Sequence, residues 1–325
     1  MIFSEEKWNN GDELREFVKV SAALSFKMMG TPLRNAWYLF LVPLLGDAMA
    51  QRVTDIYGAE EREDKDAELL KMCQACVANL AFWYEFDNIS VRITDAGFQR
   101  QQSDTGSFSP AYKYQEDNLR RGFKAKGFNW LDRILDFLTA NIERYEEFRK
   151  SDAYEVRVSA IVRSTKDVDD VYFINSSRLV FLRLKVHIGF VEEMTLRPEI
   201  GENLYKTLKD GLKEGTADEK IERLRVACSK YVAALAVMRL LRQTGSITDR
   251  GLYFTSLLSG KEGNMEVKPV DDNRLRLELD GLKEAADAYR VSLMRLIRNE
   301  WSDMYAGDAG RVMDMDNDGR KIFWA

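Results

Sequence analysis

Three groups of residues in this chain have the types and spacing that chemistry uses. Cys73-Gln-Ala-Cys76 is a CxxC, the spacing of a redox thiol pair or of half a zinc site. A structural zinc needs four ligands, and beyond these two the chain offers only Cys228 and its single histidine, His187. A redox CxxC opens a helix after a strand, whereas this pair lies inside a helical stripe. Core packing is therefore the preferred reading, with zinc and thiol chemistry as alternatives. His187 stands in KVHIGF with no neighbouring nucleophile or acid, and reads as a packing or helix-surface residue rather than a base. Asp314, Asp316, Asp318 and Gly319 spell DxDxDG, the opening of a calcium loop, but its twelfth position, a glutamate in that motif, is Ala325. An Asx-rich turn leading into KIFWA is preferred there, with cation binding by the three aspartates as the alternative. No GxGxxG, Walker loop, GxSxG or HExxH is present. The expectation is a protein that is not an enzyme and takes no cofactor.

The elements that must position these residues come in two copies. Residues 69–98 (LLKMCQACVANLAFWYEFDNISVRITDAGF) return as LRVACSKYVAALAVMRLLRQTGSITDRGL from Leu224 to Leu252. Cys73/Cys228, Val77/Val232, Ala78/Ala233 and Leu80/Leu235 keep an offset of 155, and Asp95/Asp249 and Gly97/Gly251 one of 154. The register reaches back to Phe17/Tyr172, Ser21/Ser176, Leu24/Leu179 and Phe26/Phe181. Pro43 and Gly46 in VPLLGD match Pro198 and Gly201 in RPEIGE. A proline inside a helix costs about 3 kcal/mol unless the backbone is shaped for it, so paired breakers predict a kink belonging to the fold.

Along each copy the pattern predicts one order of elements. One or two short helices over residues 12–28 lead to a helix start at Gly30-Thr31-Pro32. After the kink, the acidic run 59–68 supplies the first turn of a central helix whose apolar stripe includes Leu69, Cys73, Leu80 and Tyr84. Thr216 and Glu219 have capping-box spacing at the matching junction. A short strand and turn follow at 88–98, with Asp95 and Gly97, and again with Asp249 and Gly251, where a polar loop is inserted after Leu252. Helices at 112–150 and 273–301 close the copies, and AYEVRVSAIVRS at 153–164 alternates as a strand or tight connector would. The fold class is mainly α: two tandem helical-bundle units, at 1–150 and 151–302, with a tail at 303–325. Two units also suit a chain of 325 residues.

Composition narrows the classes of function. A net charge of −5 disfavours a broad phosphate-neutralising face, so no specific nucleic-acid binding is expected, and Arg120, Arg121, Lys124 and Lys126 read as a solvated helix face. Residues 36–50 are too short, and too broken by Pro43, Gly46 and Asp47, to span a membrane that needs about 20 apolar residues. The acidic start MIFSEEKWNNGDELREF lacks a signal peptide's basic and apolar regions, and the three cysteines suit a reducing compartment. Ile322, Phe323 and Trp324 form an apolar end suited either to docking on its own domain or to binding a neighbour, a candidate interface.

Taken together, WYLFLVPLLGD, the VANLA helix, ITDAGF, an aromatic-rich helical hairpin and the acidic DNDG tail resemble a family of phage and prophage proteins of gut bacteria, similar to head–tail connector (adaptor) components of tailed-phage virions. The resemblance runs from about Phe17 onward, and the cysteine pair and the insertion after Leu252 depart from it. It implies a virion structural protein that meets the portal as a ring of identical subunits, formed in the host cytoplasm and retained in the virion. The alternative is a two-domain helical interaction protein with no virion role.

Overall fold

Serine side chains cap the starts of three described helices, Ser151 accepting from Tyr154 N, Ser164 from Asp167 N and Ser177 from Val180 N. The computed structural model describes residues 1–21, 24–94, 97–100, 112–213, 218–244, 253–255, 267–269 and 272–305. The chain is mainly helical. A short α1 (Asp12–Arg15) precedes α2 (Phe26–Ala36), a π turn (Trp37–Leu41), α3 (Val42–Leu45), α4 (Asp47–Gly58), α5 (Asp64–Tyr84) and α6 (Phe86–Ser90). Strands β1 (Val91–Thr94) and β2 (Gly97–Arg100) pair antiparallel, with Thr94 opposite Gly97. Then come α7 (Lys113–Ala140), α8 (Glu146–Arg149), α9 (Asp152–Val158), α10 (Thr165–Asp169) and α11 (Arg178–Val191). A second π turn (Glu192–Leu196) leads to α12 (Arg197–Ile200), α13 (Glu202–Lys213) and α14 (Glu219–Thr244). Strands β3 (Tyr253–Thr255) and β4 (Val267–Pro269) form another antiparallel pair, and α15 (Asp272–Glu300) closes the fold.

Two apolar cores organise these elements. The first gathers Leu33, Val53, Val77, Ile134 and Phe148 with the N-terminal Ile2 and Phe3, and in it α5 packs along α7. The second gathers Ile161, Leu184, Leu208, Val232 and Leu293, and in it α14 packs along α15 and α11. Ala153 and Tyr154 of α9 pack on the first core while Ile161 belongs to the second, so the chain passes between cores just after α9.

The helix breaks show why Pro43 and Pro198 are tolerated. Each follows a π turn, whose closing bonds run from Val42 N to Trp37 O and from Arg197 N to Glu192 O. The wider turn spares the proline ring the carbonyl four residues back, where an α-helix would clash. Each short helix after the proline stops at a glycine with positive φ, +81° at Gly46 and +83° at Gly201. The two π turns start 155 residues apart, at Trp37 and Glu192.

Several elements differ from the sequence reading. Residues 152–158 are helical, not extended, because Ser151 Oγ accepts from Tyr154 N at 3.2 Å and starts α9, a local cap that outweighs the alternating pattern. The helix expected to begin at Thr31-Pro32 begins at Phe26, leaving Pro32 inside it, and residues 16–21 are not helical. The strand begins at Val91, since residues 88–90 complete α6. Glu219 is the first residue of α14, with Asp218 before it, and Thr216 lies outside the described residues. The insertion read as a loop contains β4. Tyr84, placed on the apolar stripe, is exposed, whereas α5 buries Gln74 and Asn79 along with its apolar residues.

Candidate functional site

The cysteines lie in the middle of long helices, which sets their chemistry. Cys73, Cys76 and Cys228 are free and fully buried, and burial pushes all three thiols well above the ordinary value. Cys76 Sγ donates to Gly127 O at 3.5 Å, at a point where α5 and α7 come so close that a Cβ on Gly127 would lie 2.5 Å from Leu80. A thiol held neutral is a poor nucleophile and a poor ligand. Among the described residues no group of three His, Cys, Asp or Glu is placed to hold a metal.

His187 is buried in α11, and its pKa is lowered first by burial and then by the nearby positive charge of Arg239. The Arg239 guanidinium lies 3.6 Å from the ring centre of Phe190. Of the basic group on α7, Arg120 pairs with Asp87 at 3.3 Å and Lys124 lies over the Trp83 ring at 5.3 Å. Arg121 turns back to Asp117 O at 3.0 Å.

Gly97 lies in β2, opposite Thr94. Asp95, Asp249, Gly251, Asp314, Asp316, Asp318, Ile322, Phe323 and Trp324 fall outside the described residues.

Two features escaped the sequence reading. The first is a polar clasp over the N-terminal segment. Glu13 accepts from Gln74 Nε2 at 2.6 Å and from Tyr57 OH at 3.1 Å, while Gln74 also donates to Ile2 O at 3.0 Å. Burial raises the Glu13 pKa, opposed by those hydrogen bonds. Its members come from three separate elements, and no local motif joins them.

The second is α11 itself, which presents three faces. Val180, Leu184, Ile188 and Val191 enter the second core. Arg178, Phe181 and Lys185, with Glu192 at the start of the following π turn, line a cleft of about 590 Å³ at the seam between the cores. Leu182, Val186 and Phe190, spaced at i, i+4 and i+8, point outward, with Val186 77% exposed. Met194 in the following π turn is 65% exposed, as is Leu39, its counterpart 155 residues earlier, at 51%. The high apolar content of α11 is legible in RLVFLRLKVHIGFV, but its orientation is not.

Among the described residues no helix is long and apolar enough to cross a membrane. A profile described as a family of unknown function (DUF6712) matches residues 41–158, from the last residue of the first π turn to the last residue of α9. No curated protein sequence and no solved structure matches the chain.

Proposed function

We propose that this protein is a non-enzymatic virion structural protein of a phage or prophage, of the head–tail connector (adaptor) type, assembling as a ring on the portal. The observation that carries the reading is the outward apolar face of α11, Leu182, Val186 and Phe190, continued by Met194. Apolar side chains repeated along one solvent-facing helix mark a surface that another protein covers. Buried thiols held neutral and a single, buried histidine favour a role in surfaces rather than in chemistry.

The scaffold is read as two copies of one helical-bundle unit. Its support is the paired sequence offset, the two π turns 155 residues apart, and the positive-φ glycine after each short helix. Such a protomer closes into a ring when one surface of each copy meets a different surface of the next. Assembly would take place in the host cytoplasm, and the ring would remain in the virion.

The test is to mix the recombinant protein with a tailed-phage portal protein and examine the mixture by negative-stain microscopy and sedimentation. Rings or portal-bound particles are expected, and Val186→Asp should abolish them while leaving the monomer folded. A monomer that neither forms rings nor binds portal would overturn the virion role and leave a two-domain interaction protein.

A further inference from the structure

The seam between the cores holds more charge than a joint requires. Arg157 of α9, Arg163 of the following loop, Arg178 and Lys185 of α11 and Lys209 of α13 all stand on the wall of the cleft, against only Asp152 and Glu192. Four of these cations have partners. Arg157 pairs with Asp136 at 2.5 Å, Arg163 with Glu222 at 3.3 Å and Arg178 with Asp132 at 2.5 Å. Lys209 Nζ donates to Ser159 O at 2.7 Å and lies 3.7 Å from Glu192. Asp132, Asp136 and Glu222 do not line the cleft, so on its wall five cations stand against two carboxylates.

Lys185 is the exception to the pairing. Among the described residues it has neither a hydrogen bond nor an ion pair, and it stands at the accessible rim. Its pKa is lowered first by burial, then by the like charges of Arg178 and Arg157, which outweigh the opposing pull of Asp132. Among the described residues, the Lys185 ammonium and, elsewhere on the wall, the Asp152 carboxylate are thus left without an ion pair beside walls built from Pro43, Leu135, Val156, Phe181 and Ile188. The cleft volume falls within the roughly 300–1,000 Å³ of small-molecule sites.

We propose that the cleft between the two cores binds an organic monocarboxylate, its single carboxylate held by Lys185 and its apolar body lying along Val156, Phe181 and Ile188. The unpaired Lys185 ammonium, on the wall it shares with Arg157 and Arg178, offers a place for one carboxylate, and the apolar wall calls for a hydrocarbon or aromatic body rather than a bare ion. This assignment is independent of any virion role, since it rests on the seam and not on the outward face of α11.

The experiment is isothermal titration of the full-length protein with sodium octanoate, and separately with inorganic phosphate, in the wild type and three variants checked for folding by circular dichroism. Octanoate is expected to give saturable one-to-one binding. Lys185→Ala should weaken it roughly tenfold, the worth of one charge-assisted hydrogen bond. Val156→Asp, at a position 62% exposed on the wall, should weaken it at least as much. Val186→Asp, on the other face of α11, should leave it unchanged, and phosphate should give no saturable heat. The proposal is overturned if wild-type protein shows no saturable octanoate binding, or if Lys185→Ala binds as well as wild type. Equal binding of phosphate, or loss of octanoate binding in Val186→Asp alone, would equally overturn it, as a bare anion site or adsorption on the outward face.

Discussion

Arg178, the first residue of α11, donates from Nη1 to Asp132 Oδ1 on α7, and both side chains are nine-tenths or more buried. The pair reaches from an element of the second core to one of the first. Breaking a buried pair strands the surviving charge, at a cost of about 3–5 kcal/mol, whereas replacing both members with apolar groups of similar volume is close to neutral. Arg178→Ala and Asp132→Ala should each lose about that much in guanidinium denaturation, and Arg178→Met with Asp132→Leu should regain most of it. Single losses below about 1 kcal/mol would show that the pair does not join the cores.

Gly127 marks the closest approach of the two longest helices of the first core. An added Cβ would meet Leu80 Cδ2 at 2.5 Å and Leu80 N at 3.3 Å, so neither side-chain rotation nor a small backbone shift alone relieves it. Gly127→Ala should cost about 1–3 kcal/mol by overpacking. Combined with Leu80→Ala, the total loss should be less than the sum of the two, because the second change removes the clash made by the first. Strict additivity in urea denaturation would refute the contact.

The two positive-φ glycines permit a comparison of strain with and without crowding. Gly46 and Gly201 share a backbone conformation of φ about +80° and ψ near +150°, which non-glycine residues adopt only at a cost of about 1–3 kcal/mol. A Cβ at Gly46 would also meet Ser151 Cβ at 3.0 Å, while at Gly201 nothing lies within 4 Å. Both alanine variants should melt below wild type, Gly46→Ala by the larger margin. The reverse order in calorimetry would contradict the packing of Ser151 against the first kink.

Asp66 supplies a pH dependence of defined sign. Arg144 donates to both its oxygens, Nε to Oδ1 at 3.1 Å and Nη2 to Oδ2 at 2.8 Å, and Tyr145 OH donates to Oδ1 at 3.1 Å. Burial is the largest single influence and raises its pKa, but these hydrogen bonds and the charges of Arg144 and Arg52 together outweigh it and hold Asp66 below its ordinary value. Stability from such a group is present above the unfolded value of about 4 and is lost as pH falls through the lower folded value. Asp66→Asn should cost about 1–3 kcal/mol at pH 7. Below about pH 4 the gap between variant and wild type should narrow. A gap that is constant down to pH 2.5 would sink the assignment.

What the sequence disclosed was the chemistry that acts locally. Pro43, Gly46, Pro198 and Gly201 announce broken helices because ring and φ constraints belong to single residues. The mainly helical class was readable from apolar periodicity along 69–84. The Ser151 cap is masked in the sequence by the period-two alternation of AYEVRVSAIVRS, although a Ser followed by an acidic residue is a helix start. Arg157, Arg163, Arg178, Lys185 and Lys209 could not be seen as one wall, since they come from α9, a loop, α11 and α13, and only packing brings them together. The outward set of Leu182, Val186 and Phe190 was hidden for another reason. In a helix apolar on nearly every side, periodicity does not say which side is covered.

Each π turn inserts an extra residue into what would otherwise be a continuous helix, and one residue corresponds to roughly 100° of rotation about the axis. The segments before and after it are therefore out of phase. α2 buries Met29, Leu33 and Ala36, while α3 buries Leu45, and the dial set between them by Trp37–Leu41 lets both meet the same core without an intervening loop. That same turn of the dial swings Leu39, and 155 residues later Met194, out to the surface. A one-residue deletion in either turn would act less as a shortening than as a rephasing, re-aiming the helix beyond it while leaving its length almost unchanged.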